Sequence, residues 1–125
     1  MIRRLVAVLG LAAVAAAAAG CGPRPSAAEG RELYAANGCA NCHGGSGHGD
    51  GPIAVTLSPR PRDFRDRSAF RQGDSEAAIA ATLTAGIRSG GAMPRYSHLS
   101  ERERRSLAMF VRALQTTDQR RSEQP

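Results

Sequence analysis

Cys39, Cys42 and His43 form the run Cys-Ala-Asn-Cys-His. Two thiols separated by two residues, with an imidazole next in line, allow four kinds of chemistry. They could act as a redox dithiol, bind zinc, close a small disulfide, or add to the two vinyl groups of a haem. Haem attachment uses every member of the run. Each thiol adds across one vinyl group to make a thioether. The two-residue gap on one turn matches adjacent vinyls, and His43 is then placed where its imidazole can ligate iron.

The three rivals lack their contexts. A thioredoxin-like dithiol follows a strand in a βαβ pattern, and no strand pattern of any length occurs here. A zinc site wants a second Cys or His pair, whereas His48 and His98 stand alone without ligand spacing. A disulfide across only two intervening residues is disfavoured. The remaining cysteine, Cys21, makes the total odd, so a closed disulfide framework cannot use all three.

Candidates for a sixth iron ligand are Met93, Met109, His48 and His98. Met109 follows the helical pattern of the C-terminal segment and reads as a core residue. His48 lies in a Gly-rich loop and reads as a solvated loop histidine, and His98 carries the same bland reading. Met93 follows a Gly-rich break and precedes Pro94, an extended position that could bring sulfur to the iron. Met93 is therefore the expected ligand. His/Met ligation raises the haem potential relative to two histidines. Filling both axial positions disfavours substrate chemistry at the iron.

Three helical patterns must position these residues. Ser26 and Glu29 form a capping-box pair that opens a helix reaching Asn37-Gly38. Asp74-Ser75-Glu76 starts a second, in which Ile79, Leu83 and Ile87 repeat every four residues. Ser100 and Glu103 form another capping box before a third, predicted to end near Leu114. Leu107, Phe110, Val111 and Leu114 give that helix one apolar face. Between them lie long loops, including residues 44–51 with five Gly in eight positions. The expected fold class is all-α, about three main helices with loops long for so small a core. Residues 115–125 contain no apolar side chain and are predicted to be a disordered polar tail.

The amino terminus reads as an address. Arg3 and Arg4 precede an uncharged run from Leu5 to Ala19, short of the about 20 apolar residues that span a bilayer. The run ends Ala18-Ala19-Gly20-Cys21. This resembles a bacterial lipoprotein signal, in which the cysteine is lipidated and becomes the mature end. Ala18 departs from the usual Leu of that pattern, so ordinary cleavage near Ala19 stays open. The expected division is a removed signal over 1–20, lipidated Cys21 with a short Pro-rich tether over 21–25, and one domain over 26–114. Several acyl chains would give stable membrane attachment, and export places the domain on the periplasmic side.

Taken in order, the motifs resemble those of single-haem class I c-type cytochromes of bacterial type. They include Gly30 and Tyr34, Cys39-x-x-Cys42-His43-Gly44, Gly47-x-Gly49-Asp50-Gly51-Pro52, Arg62-Asp63-Phe64, Gly86-Ile87 and Met93-Pro94-x-Tyr96. The resemblance covers residues 26–114. It implies a small cytochrome c fold wrapped around one covalently attached haem c and a role in one-electron transfer. It also assigns His43 and Met93 as axial ligands and the Pro52 carbonyl as acceptor for the other nitrogen of His43. Gly30 would permit close approach of the first and third helices against Phe110. Tyr34, Leu83, Leu107, Phe110 and Leu114 are core candidates. Of the Arg in the middle loop (Arg60, Arg62, Arg65, Arg67), one could pair with a haem propionate, and a solvated basic loop is the blander reading.

Composition fits this picture. Aromatic residues make up 4% of 125 residues, thin for a self-sufficient core. The formal charge of +6, from Arg with no Lys, falls to +4 once Arg3 and Arg4 are removed. Two propionates would bring it to about +2, a mildly basic surface suited to an acidic docking partner. Redox proteins are therefore the expected partners, with the membrane reached through the lipid. Nucleic-acid binding is not expected, since the Arg are dispersed without a motif and the chain is exported. The nearest alternative is a dedicated haem subunit of a larger dehydrogenase or oxidase. A gas sensor or peroxidase would need an open iron position.

Overall fold

The computed structural model describes residues 22–88 and 91–122, with side chains given as far as residue 117. The predicted signal segment and Cys21 lie outside the described residues. Among those described there are four α-helices, two short 3-10 turns and no strand. The helices are α1 (Ala27–Ala36), α2 (Cys39–His43), α3 (Glu76–Ala85) and α4 (Glu101–Ser122). The 3-10 turns, Ala54–Thr56 and Arg67–Ala69, lie in the middle loop. None of these helices is long and apolar enough to cross a membrane.

Local side-chain chemistry starts each long helix. The Ser26 hydroxyl accepts from the Glu29 amide, and the Ser75 hydroxyl accepts from the Ala78 amide. At α4 the box is complete: the Ser100 amide donates to the Glu103 carboxylate, and the Glu103 amide donates to the Ser100 hydroxyl. At α1 only half of the expected box forms. Glu29 turns away from its own helix start to meet Arg102 and Ser106 of α4. The Ser26 amide instead donates to the Ser106 hydroxyl, 3.1 Å away. Ser106 is fully buried, and these two bonds satisfy it.

The α1–α4 crossing is the packed centre. A Cβ on Gly30 would overlap the Ser106 carbonyl oxygen and come 2.8 Å from the Phe110 Cβ, so the helices touch backbone to backbone there. Tyr34 meets Phe110 edge to face, with centroids 5.2 Å apart. Leu107 and Ala108 are buried beneath, and Ile79 and Leu83 of α3 complete the cluster with Phe64, Phe70, Leu99 and Val111. Met109, expected in the core, is half-buried and outside this cluster; the helical turn gives its place to Ala108 and Phe110.

The predicted end at Leu114 is corrected. α4 continues through the supposed tail to Ser122. Gln115 is 2% exposed and accepts from Arg112 through its side-chain carbonyl, so a polar residue is part of the buried face. No proline or glycine interrupts the segment before Pro125, and the Thr116 and Thr117 hydroxyls fold back onto the Ala113 carbonyl.

Candidate functional site: a cavity beside the Cys-x-x-Cys-His helix

α2 is a single helical turn, and its trailing carbonyls would be unpaired without help. The Gly-rich loop supplies it. The Gly49 amide donates to the His43 carbonyl, the Gly51 amide to Cys42, and the Ile53 amide to Asn41. Only glycine fits at 51, where a Cβ would lie 2.5 Å from the Ala40 carbonyl oxygen. Thus Gly44, Gly47 and Gly49, with positive φ, and Gly51, with its close approach, let one loop wind back tightly enough to cap the attachment turn. Tyr34 adds a strap from α1, its hydroxyl donating to the Gly44 carbonyl at 2.7 Å. Burial pushes the Tyr34 phenol well above its ordinary pKa, so it stays a donor at any physiological pH.

The loop then fixes the imidazole. The Phe64 amide donates to the Gly47 carbonyl, which draws residues 61–64 against α2. His43 Nδ1 consequently faces the Arg62 carbonyl oxygen at 3.2 Å. A carbonyl can only accept, so Nδ1 carries the proton and Nε2 keeps its lone pair for a metal. The Phe64 ring stacks on the imidazole at 4.7 Å between centroids. Burial lowers the His43 pKa, which favours the neutral, ligating form.

The expected acceptor, the Pro52 carbonyl, is corrected to that of Arg62. Gly51 and Ile53 are bonded to the carbonyls of α2, and Pro52 between them is left exposed. The segment that reaches the ring is the one paired with Gly47 through the Phe64 amide, further along the chain than the amides that cap α2. The acceptor is not a proline carbonyl, although Pro61 immediately precedes it.

Opposite elements bring in the methionine. The Ile87 amide donates to the Met93 carbonyl and the Tyr96 amide to the Leu83 carbonyl, at 3.1 and 2.8 Å. These two bonds tie the Met93–Tyr96 segment to the end of α3. Cys39, Cys42, His43 and Met93 all line one cavity of about 700 Å³. Its walls include the apolar side chains of Phe64, Phe70, Leu83 and Leu107. Cys39 and Cys42 are not joined to each other, and both are half-buried. Burial raises the Cys39 thiol pKa, and the nearby Tyr96 phenol acts in the opposite direction.

The other sequence candidates lie elsewhere. His48 is half-buried near Asp63, and His98 approaches the Asn37 side chain at 3.4 Å. Neither they nor Met109 line the cavity. Among the described residues no three His, Cys, Asp or Glu side chains converge as a metal site. The residues not foreseen in their roles are Arg62, Phe64 and Tyr96. Their signals were the Arg62-Asp63-Phe64 run and the Tyr two residues after Pro94, which mark the two strips of chain that reach α2 and Cys39.

A donor set of two thiols, a Nε2 lone pair and a thioether, gathered around an apolar cavity of that volume, fits a covalently held haem. The comparisons agree. Residues 25–111 match the family model for cytochrome c oxidase, cbb3-type, subunit III. The chain belongs to this c-type cytochrome family. Its fold is similar to a chain of the reducing HAO-like protein complex of Kuenenia stuttgartiensis, with a TM-score of 0.65 and 31% identity. That likeness covers 76% of this chain and 47% of the other, so the chain spans about half the length of that relative. No curated protein matches. As a c-type cytochrome domain, the chain carries covalent haem c and serves electron transfer.

Proposed function

We propose that this cytochrome domain is a monohaem electron carrier whose iron is ligated by His43 and Met93. Cys39 and Cys42 would form the thioethers. The observation that carries the reading is the convergence of these four side chains on one cavity. The bound haem supplies a reversible Fe(II)/Fe(III) couple. The protein supplies position, potential and a docking surface. Arg62, through its carbonyl, and Phe64, through its ring, hold His43 in one orientation with Nε2 free. The bonds to Leu83 and Ile87 hold the methionine segment. The half-buried attachment cysteines leave that edge of the cavity close to solvent, which suits electron entry and exit.

We further propose that the domain works on the periplasmic side of a bacterial membrane. The signal-like segment 1–20 would be removed and Cys21 lipidated, with residues 22–25 as tether. A redox-titrated optical spectrum of membrane-extracted protein tests the core of the proposal. It should show low-spin haem c and the sulfur–iron charge-transfer band at the red end. Met93→Ala should abolish that band and lower the potential; a retained band and unchanged potential would refute Met93 as ligand.

A second reading, a dedicated subunit of a larger redox complex, is favoured by the similarity to a chain of a multi-protein complex. Co-purification of a stoichiometric partner from membranes would establish it, and a monomeric detergent extract would count against it.

A further inference from the structure

The end of α3 is finished by a distant segment. A helix leaves its last carbonyls without amide partners of its own. At α3 the Gly86 amide answers Thr82, and the Tyr96 amide answers Leu83. Ala85 is answered by a side chain: Arg95 Nε donates to its carbonyl at 3.1 Å. A cation suits that place, since the carbonyls give this end of a helix a partial negative charge. The last turn of α3 has no basic residue of its own, and Arg95 supplies one from ten residues further on.

Gly86 makes the approach possible. Its φ is +67°. A Cβ there would come 3.1 Å from the Met93 carbonyl oxygen, the Arg95 amide nitrogen and the Arg95 Cγ. The Arg95 stem thus lies over Gly86 while its head turns to Ala85. The strip from Met93 to Tyr96 is therefore held at three points. Two are the backbone bonds at Met93 and Tyr96. Pro94 has no amide to offer, and the third tie is the Arg95 side chain.

We propose that Arg95 latches the Met93 strip to the C-terminal end of α3 and so sets how readily Met93 gives way to another iron ligand. The proposal rests on the reading of Met93 as axial ligand. For an outside ligand to replace the thioether, the strip must swing off the end of α3. Each tie raises the free energy of that local opening. Arg95 acts through the strip and is a positioning residue. Its bond is exposed, so its share is that of one ordinary hydrogen bond, roughly three- to tenfold in an equilibrium constant.

The test titrates ferric holoprotein with imidazole and follows loss of the sulfur–iron band. The pH is one at which imidazole is neutral, so removing a charge from the protein does not itself change its attraction. Arg95→Leu keeps the stem and removes the donor; it should bind imidazole roughly three- to tenfold more tightly. Arg95→Lys, which keeps a cation and a donor, should recover part of the parental value. Amide hydrogen exchange gives a second readout. Ile87 and Tyr96 should exchange faster in Arg95→Leu, with Gly49 and Gly51, which cap α2, unchanged. If Arg95→Leu yields little holoprotein, Arg95→Lys decides alone, with an affinity above the parental one expected. Parental imidazole affinity in the variant that decides would overturn the latch and leave Met93 as ligand. Absence of the sulfur–iron band from the parent protein would overturn Met93 as ligand and the latch together.

Discussion

The α1–α4 crossing and the cavity wall solve opposite problems. At the crossing the polypeptide completes its own contacts. Gly30 lets the helix backbones touch, Ser106 is satisfied by Ser26 and Glu29, and Tyr34 packs on Phe110. The wall joins loop segments to the inner faces of the helices, including Leu83 and Leu107. Its backbone bonds are spent on capping α2 and strapping Met93, and its apolar side chains face a space of about 700 Å³. The difference teaches where stability and function separate. One half specifies a shape, and the other half uses that shape to present thiols, an imidazole and a thioether to a single body.

The contrast breaks most visibly at the wall. Cys39→Ala or Cys42→Ala should sharply reduce haem-stained protein on a denaturing gel. Normal staining in both would show that the cavity is not an attachment site. The crossing is tested by Gly30→Ala. On an exposed helix this change stabilises by about 1 kcal/mol. Here the new Cβ meets the Ser106 backbone, and overpacking against an unyielding neighbour should cost about 1–3 kcal/mol. A lower denaturation midpoint with an unchanged haem spectrum would place the damage in the crossing alone. The smallest effect concerns Glu29. Arg102, then Ser106, hold its carboxyl below the ordinary value of 4.5. A depressed carboxylate pKa gives stability that is complete above the ordinary value and lost as pH falls through the folded one. Thermal melts from pH 6 downward should therefore fall less steeply in Glu29→Gln than in the parent protein, and parallel curves would remove Glu29 from the acid response.

Legibility in the sequence divides along the same line. Ser26, Ser75 and Ser100 signalled the helix starts because a cap is a local bond between near neighbours. Gly30 and Phe110 signalled the crossing because a missing Cβ and a large ring are complementary shapes. Cys39, Cys42, His43 and Met93 could be picked out by residue type and spacing, and the fold brings all four to one cavity. The acceptor for His43 was not legible. Which carbonyl reaches the ring depends on how the loop closes over Gly47 and Gly51, and every residue of the loop offers a carbonyl of the same chemistry. The reach of α4 to Ser122 was missed for a related reason. A polar stretch reads as solvated until a partner such as Arg112 gives Gln115 a reason to be buried.

The Ser26 amide bond to Ser106 has a mechanical side. Any pull on the chain ahead of Ser26 arrives at the start of α1, and the first groups to bear it are this bond and the neighbouring Glu29–Arg102 pair. Both anchor into α4, whose buried face runs back through Leu107 and Val111. The load is thus shared between two long helices before it can reach α2 or the strip holding Met93. Force applied at this end would pass into α1 and α4 before it reaches the four side chains that line the cavity.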